Sequence, residues 1–262
     1  MCPTAGWVAS GAAAEAPDED ASRPPPVAGG LFGAGLAAAV QYAELLATMG
    51  VRRGVIGPRE AGRIWSRHLL NSVAVVTALP QAGVVVDIGS GAGLPGVAIA
   101  IARPDLRIHL VEPLQRRVTW LQEVVDQLDL KTRVSIHHGR AEDLNPVPAD
   151  VVVSRAVAPL GRLLPWCVRW CRPGGLVVAV KGERAAEELD GAVIDLVAWG
   201  LSEPSVARFG EGVLTPPVVA VLCQRLSEHR VGSGRPEGLP PKGTTRERTS
   251  HAGRYRPGRD RP

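Results

Sequence analysis

Val84-Val85-Val86-Asp87-Ile88-Gly89-Ser90-Gly91-Ala92-Gly93-Leu94-Pro95-Gly96 is the stretch that decides the fold. Its first half is a short β-branched run, the pattern of a strand buried on both faces. Its second half is a glycine turn, where missing side chains let the backbone reverse sharply and let a ligand approach it closely. The apolar stretch from Pro95 to Ala102 then reads as a helix, with Pro95 suited to its first turn. In a doubly wound sheet ligands gather at the carboxyl ends of the strands, so the turn marks a binding site as well as a topology.

Outward from this unit, strands and helices alternate. Ile108 to Val111 predicts a second strand and Arg117 to Leu128 a helix. Val134 to Ile136 and Val151 to Val153 predict the third and fourth strands, Leu160 to Cys171 a helix, and Leu176 to Val180 the fifth strand. Ala185 to Trp199 reads as one helix, followed by weaker strands at Val206 to Phe209 and Val218 to Leu222. Repeated β-α-β order predicts an α/β fold, a doubly wound and mostly parallel seven-stranded sheet whose last two strands form a hairpin. Upstream, Leu36, Val40, Leu45 and Leu46, then Ile64, Trp65, His68, Leu69, Val73 and Val76, recur at helical spacing around a turn at Gly50 to Pro58. The expected organisation is an unstructured extension at 1–30, a helical cap at 31–80, the main domain at 81–228 and an unstructured basic tail at 229–262. Both ends are rich in Gly, Pro and polar residues and too poor in apolar side chains to offset chain ordering.

The 262 residues are 45% hydrophobic and 21% charged, enough for a large core. The uncharged runs are broken by Gly, Pro or Arg before membrane-spanning length, so no membrane association is expected. No basic segment precedes an apolar one at the start, and the four cysteines are too scattered for a disulfide scaffold, which points to the cytoplasm. The net charge of +4 is unevenly spread. Residues 229–262 hold nine basic and three acidic residues, residues 1–30 hold one and four, and the body between is almost neutral.

Two ligands compete for the glycine turn. Gly91-x-Gly93-x-x-Gly96 fits a dinucleotide fingerprint, with Glu112 at the end of the second strand as a ribose holder. Asp87 followed by Gly89-x-Gly91-x-Gly93 fits instead the turn of S-adenosylmethionine-dependent methyltransferases. Register favours the second. The first glycine after the strand is Gly89, and the sixth position of the series counted from it is Leu94, not glycine. Asp87 would also repel a pyrophosphate but suits a cationic amino acid group. Glu112 can accept both hydroxyls of a ribose, and Ala141 and Glu142, after the third strand, fall where an adenine would lie.

These segments resemble the small-subunit ribosomal RNA guanine-N7 methyltransferases, the glucose-inhibited division protein B family (RsmG). The matching pieces are Arg67-His68-Leu69-Leu70-Asn71-Ser72, Asp87 to Gly96, Arg116-Arg117-Val118 with Leu121, Gly139-Arg140-Ala141-Glu142, Ser154-Arg155-Ala156 and Lys181-Gly182, over residues 40–223. The resemblance implies S-adenosylmethionine as cofactor, held at Gly89 and Leu94, at Ala141 and Glu142 and at Arg155. It implies a guanine of 16S ribosomal RNA as substrate. One departure is Arg53-Gly54-Val55-Ile56-Gly57, which stands where members commonly carry Asn-Leu-Thr.

Guanine N7 has a free lone pair, so methylation there needs no general base. Ser154-Arg155-Ala156-Val157 accordingly replaces the Asn/Asp-Pro-Pro-aromatic signature that orients exocyclic amines. Arg155 and Lys181, at strand carboxyl ends, are the candidates for positioning the acceptor, and Arg67, His68, Arg116 and Arg117 are candidate RNA contacts. Cys167 and Cys171 sit one turn apart beside Trp166 and Trp170 and read as core, not as a nucleophile or metal pair, and no metal is expected. The runner-up readings are an NAD(P)-dependent oxidoreductase and a non-catalytic ribosome-associated RNA-binding protein. The sequence is silent on oligomeric state, and a monomer is assumed.

Overall fold

The computed structural model describes residues 23–155, 157–192 and 195–226. Seven strands form one sheet: β1 (Gly83–Ile88), β2 (Leu106–Glu112), β3 (Val134–His138), β4 (Ala149–Arg155), β5 (Cys171–Lys181), β6 (Ser205–Phe209) and β7 (Val218–Gln224). Their order is β3-β2-β1-β4-β5-β7-β6. The first five in that order run parallel, β7 is antiparallel to β5, and β6 and β7 form the expected hairpin. From β1 the chain builds outward through β2 and β3, then crosses back to lay β4 on the other flank of β1. The carboxyl ends of β1 and β4 thus flank the crevice at which doubly wound sheets bind ligands.

The valine run explains itself in the packing. Val85 joins the cluster of Ile99, Ile108 and Leu110 on one face of the sheet, and Val86 joins Leu163, Leu164 and Trp170 on the other. Both are fully buried, so neither face of β1 can carry a polar residue before Asp87.

Eight α-helices accompany the strands among the described residues: α1 (Pro26–Phe32), α2 (Leu36–Leu45), α3 (Leu70–Val73), α4 (Gly96–Ala102), α5 (Gln115–Gln127), α6 (Leu160–Trp170), α7 (Ala185–Asp190) and α8 (Leu196–Trp199). Wider turns at Leu46–Gly50 and Ile64–Leu69 and tighter ones at Pro58–Arg63 and Ala74–Ala78 complete the cap. The cap lies on α4. That helix is therefore covered on one side by the sheet and on the other by the cap, which is why Gly96 to Ile101 are all buried and its sequence has no polar face. At Gly35 the approach is close enough that a Cβ would stand 2.4 Å from the Ile101 carbonyl oxygen.

Several expectations change. The helical cap begins at Pro26, inside the segment read as an extension, because Pro25 caps and Pro26 starts α1 and Ala28 is fully buried. Pro26–Gly50 also forms one helical run of 25 residues, long and apolar enough by length and composition to cross a membrane. Its glycines tighten the path at Gly33–Gly35 without ending it, and Phe32, Ala39, Tyr42 and Leu46 pack into the core. The helix expected over 185–199 is two. It stops before Gly191 and restarts where the Asp195 carboxylate accepts the Ala198 N–H at 2.9 Å. β5 begins at Cys171, earlier than its apolar run, and the tail at 229–262 lies outside the described residues.

Candidate functional site

The glycine turn leaves β1 with Gly89, Gly91 and Gly93 all at positive φ, +74°, +58° and +101°. A Cβ on Gly89 would stand 2.6 Å from the Val157 side chain, and one on Gly93 would stand 2.7 Å from the Tyr42 hydroxyl. Asp87, fully buried, accepts the Gly96 N–H on Oδ2 at 3.0 Å and so ties the end of β1 to the start of α4. Its carbonyl accepts the Ser90 hydroxyl at 3.0 Å. Its Oδ1 is buried without a hydrogen-bond partner among the described residues. Burial pushes this carboxyl up to about 7, against the pull of the Gly96 N–H.

Glu112, 1% exposed at the end of β2, accepts the Gly91 N–H at 2.9 Å on one oxygen and the Leu114 N–H at 2.9 Å on the other. A carboxylate has about four lone-pair sites, so each oxygen keeps one for a ligand hydroxyl. Arg117 reaches toward it at 3.9 Å and is half-buried, whereas Arg116 is exposed. Ala141 and Glu142 are held from α6: Trp170 donates to the Ala141 carbonyl at 3.0 Å and Arg169 donates to that of Glu142. Leu94 is buried behind the turn.

Arg155, at the end of β4, is held by the cap. One terminal nitrogen donates to the His68 carbonyl at 3.2 Å and to the Ser72 hydroxyl at 3.1 Å, and the other lies 2.6 Å from His68 Nδ1. His68 is 8% exposed, and its Nε2 lies 3.0 Å from Glu60 Oε2. Burial and the neighbouring Arg155 hold its imidazole down to about 4. Thus His68, expected at the RNA surface, has both ring nitrogens engaged inside. Arg67 is exposed, 3.6 Å from the same Glu60 carboxylate. Lys181 donates to the Ala158 carbonyl at 2.7 Å and to Glu188 at 2.8 Å, and Glu188 also accepts the Leu160 N–H. Lys181 therefore fastens the loop after β4 to the end of β5.

A cleft of about 960 Å³ opens above the carboxyl ends of β4 and β5; no glycine-turn residue lines it, and Val157, which packs against Gly89, stands between the two. Arg63, Arg67 and Asn71 line its cap side, and Arg155, Val157 and Lys181 its sheet side. Four cations against Glu183 and Glu188 make it a basic pocket.

Two site residues lay outside the sequence reading. Tyr42, fully buried on α2, and Trp120, on α5, both donate to the Ala92 carbonyl at 2.9 Å and pin the middle of the glycine turn. Neither belongs to a motif; each looks like an ordinary core aromatic until its bond to the turn is seen. Cys167, Cys171 and Cys223 are buried and free. Burial pushes the thiols of Cys171 and Cys223 up to about 12, in keeping with packing roles.

Residues 36–213 match the family GidB, rRNA small subunit methyltransferase G. A ribosomal RNA small subunit methyltransferase G from Salinispora tropica is 47% identical over 234 residues, covering 84% of this chain and 95% of the relative. One from Mycolicibacterium gilvum is 48% identical over 219 residues, covering 81% and 95%. Among solved structures, the [4+2]-cyclase SpnF shares the fold at a TM-score of 0.50 and 13% identity, covering 72% of this chain and 96% of that one. The chain, with its glycine turn at the crevice between β1 and β4, belongs to the rRNA small subunit methyltransferase G family.

Proposed function

We propose that the chain methylates N7 of a guanine in 16S ribosomal RNA, with S-adenosylmethionine as methyl donor, and that it does so in the cytoplasm. The observation that carries the cofactor assignment is Asp87. A buried carboxylate oxygen without a partner, at the end of β1 and beneath a turn held open by glycines, fits a cationic amino group. It does not fit a pyrophosphate. When bound, the cofactor supplies a sulfonium methyl carbon as electrophile.

The chain's own residues hold and orient. Asp87 takes the amino group, Glu112 the ribose hydroxyls through its remaining lone pairs, and the segment Ala141–Glu142 the adenine, while Gly89, Gly91, Gly93 and Leu94 leave room along the turn. Across the β4 and β5 ends, the basic cleft receives the acceptor nucleotide: Arg155 and Lys181 on the sheet side and Arg63 and Arg67 on the cap side attract and orient it. Because N7 brings its own lone pair, no proton has to be removed before transfer. Alignment alone can lower such a barrier by roughly 7 to 11 kcal/mol.

Calorimetric titration separates this from the NAD(P)-dependent oxidoreductase reading. Saturable binding of S-adenosylmethionine and none of NADH is expected, with Asp87→Asn weakening the former at least about tenfold, the effect of about 1.4 kcal/mol from one lost charged contact. Equal binding of the two cofactors would overturn the assignment. Cofactor binding without any methyl transfer to small subunits would favour a ribosome-associated binding protein.

A further inference from the structure

His68 and Glu60 lie outside the groups assigned to cofactor or acceptor, yet they form a polar chain that runs from the half-buried Glu60 through the buried His68 to Arg155. The order is Glu60 Oε2, 3.0 Å to His68 Nε2, then His68 Nδ1, 2.6 Å to an Arg155 terminal nitrogen. Guanidinium nitrogens only donate and a carboxylate oxygen only accepts. One arrangement satisfies both ends: a neutral imidazole with its proton on Nε2, donating to Glu60 and accepting from Arg155. Burial and Arg155 keep the ring neutral across the physiological range. The His68 carbonyl and the Ser72 hydroxyl take the other terminal nitrogen, and Ser72 itself donates back to that carbonyl at 2.6 Å. Arg67, Tyr42 and Asp87 are the remaining titratable or charged neighbours of this chain.

Three of the five Arg155 N–H donors are thereby used, all on the cap side. The other two, on Nε and on one terminal nitrogen, have no partner among the described residues, and Arg155 lines the basic cleft. We propose that Glu60 and His68 are positioning residues: Glu60 fixes the His68 tautomer, and His68 holds the Arg155 guanidinium so that its two remaining donors serve the acceptor nucleotide. The inference rests on the reading of the cleft as the acceptor site. It also gives the Arg-His pair of residues 67 and 68 divided roles, with Arg67 facing the cleft and His68 turned inward.

A double-mutant cycle on methyl transfer to small subunits tests it. His68→Ala is expected to lower kcat about 10- to 100-fold, the effect of misplacing a positioned group by about 1 Å. The KM for subunits should stay close to that of the unaltered protein. Against an Arg155→Lys background, whose single nitrogen cannot reproduce the fork that meets the cap through two terminal nitrogens, the same substitution should change kcat less than about twofold, because His68 acts only through Arg155. His68→Gln, able to accept and donate, should recover most of the loss, and Glu60→Ala should give a smaller fall of the same kind. Additive losses in the cycle, or His68→Gln no better than His68→Ala, would overturn the proposal. Should His68→Ala not fold, the Glu60→Ala and Arg155→Lys pair runs the same cycle. Failure of the unaltered protein to transfer methyl would instead contradict the acceptor-site reading.

Discussion

At the scale of single residues, Asp87 and His68 are two buried groups whose shifts oppose each other. Asp87 is raised to about 7 by burial, so the folded state favours its protonated form; the stability this gives is present below pH 4 and lost as pH rises to about 7. His68 is lowered to about 4, so folding disfavours its proton, and stability is lost as pH falls from 6.5 to 4. The two windows overlap and their effects largely cancel in the unaltered protein. Asp87→Asn should therefore show stability rising with pH between 4 and 6.5, and His68→Gln stability falling with pH from 4 to 7. Thermal or urea unfolding at several pH values checks this; parallel profiles for both variants would contradict the assignment. Ionisation of Asp87 also implies that S-adenosylmethionine affinity climbs as pH rises through 7, a dependence that Asp87→Asn should remove.

At the scale of elements, the cap and the glycine turn are one unit. The Tyr42 hydroxyl bonded to Ala92 and the Gly35 approach to Ile101 fasten α2 and its lead-in to the turn and α4. Tyr42→Phe should cost about 1 kcal/mol, the net worth of one buried hydrogen bond. Gly35→Ala should cost about 1 to 3 kcal/mol, as an inserted carbon must push the backbones apart. Urea unfolding measures both; no loss in either would mean that the cap is docked some other way. These couplings are also where sequence reading stops. The strands of the parallel part were legible because they are short runs rich in Val and Ile bounded by Gly, Pro or charge, and Asp87, Glu112 and the glycines were legible because backbone reversal at a strand end restricts residue type. Tyr42 and Trp120 were not, since an aromatic at helical spacing reads as core whether or not its polar tip finds a distant carbonyl. Gly191 and Asp195 did carry the stop and cap signals that split the last helix, but a continuous apolar spacing hid them. His68 reads both ways in the sequence, as a candidate RNA contact and as a member of an apolar stripe, and only the packing of the cap on β4 decides for the buried position.

At the scale of the whole molecule, the charge distribution sets how RNA is met. The body is nearly neutral, with Arg63, Arg67, Arg155 and Lys181 lining the cleft, while residues 229–262 carry a surplus of six positive charges. Recognition should then depend on the cleft, with the tail adding attraction to phosphates that does not discriminate sequence. Removal of 229–262 should flatten the salt dependence of RNA binding and leave S-adenosylmethionine affinity unchanged; an unaltered salt slope would make the segment a spacer. The most direct test of the central claim is incubation of the protein with labelled S-adenosylmethionine and small ribosomal subunits that lack the modification, followed by mapping of the label. Label recovered as N7-methylguanine at one site of 16S ribosomal RNA is the predicted result, and label on another base position, on protein or on DNA would contradict it.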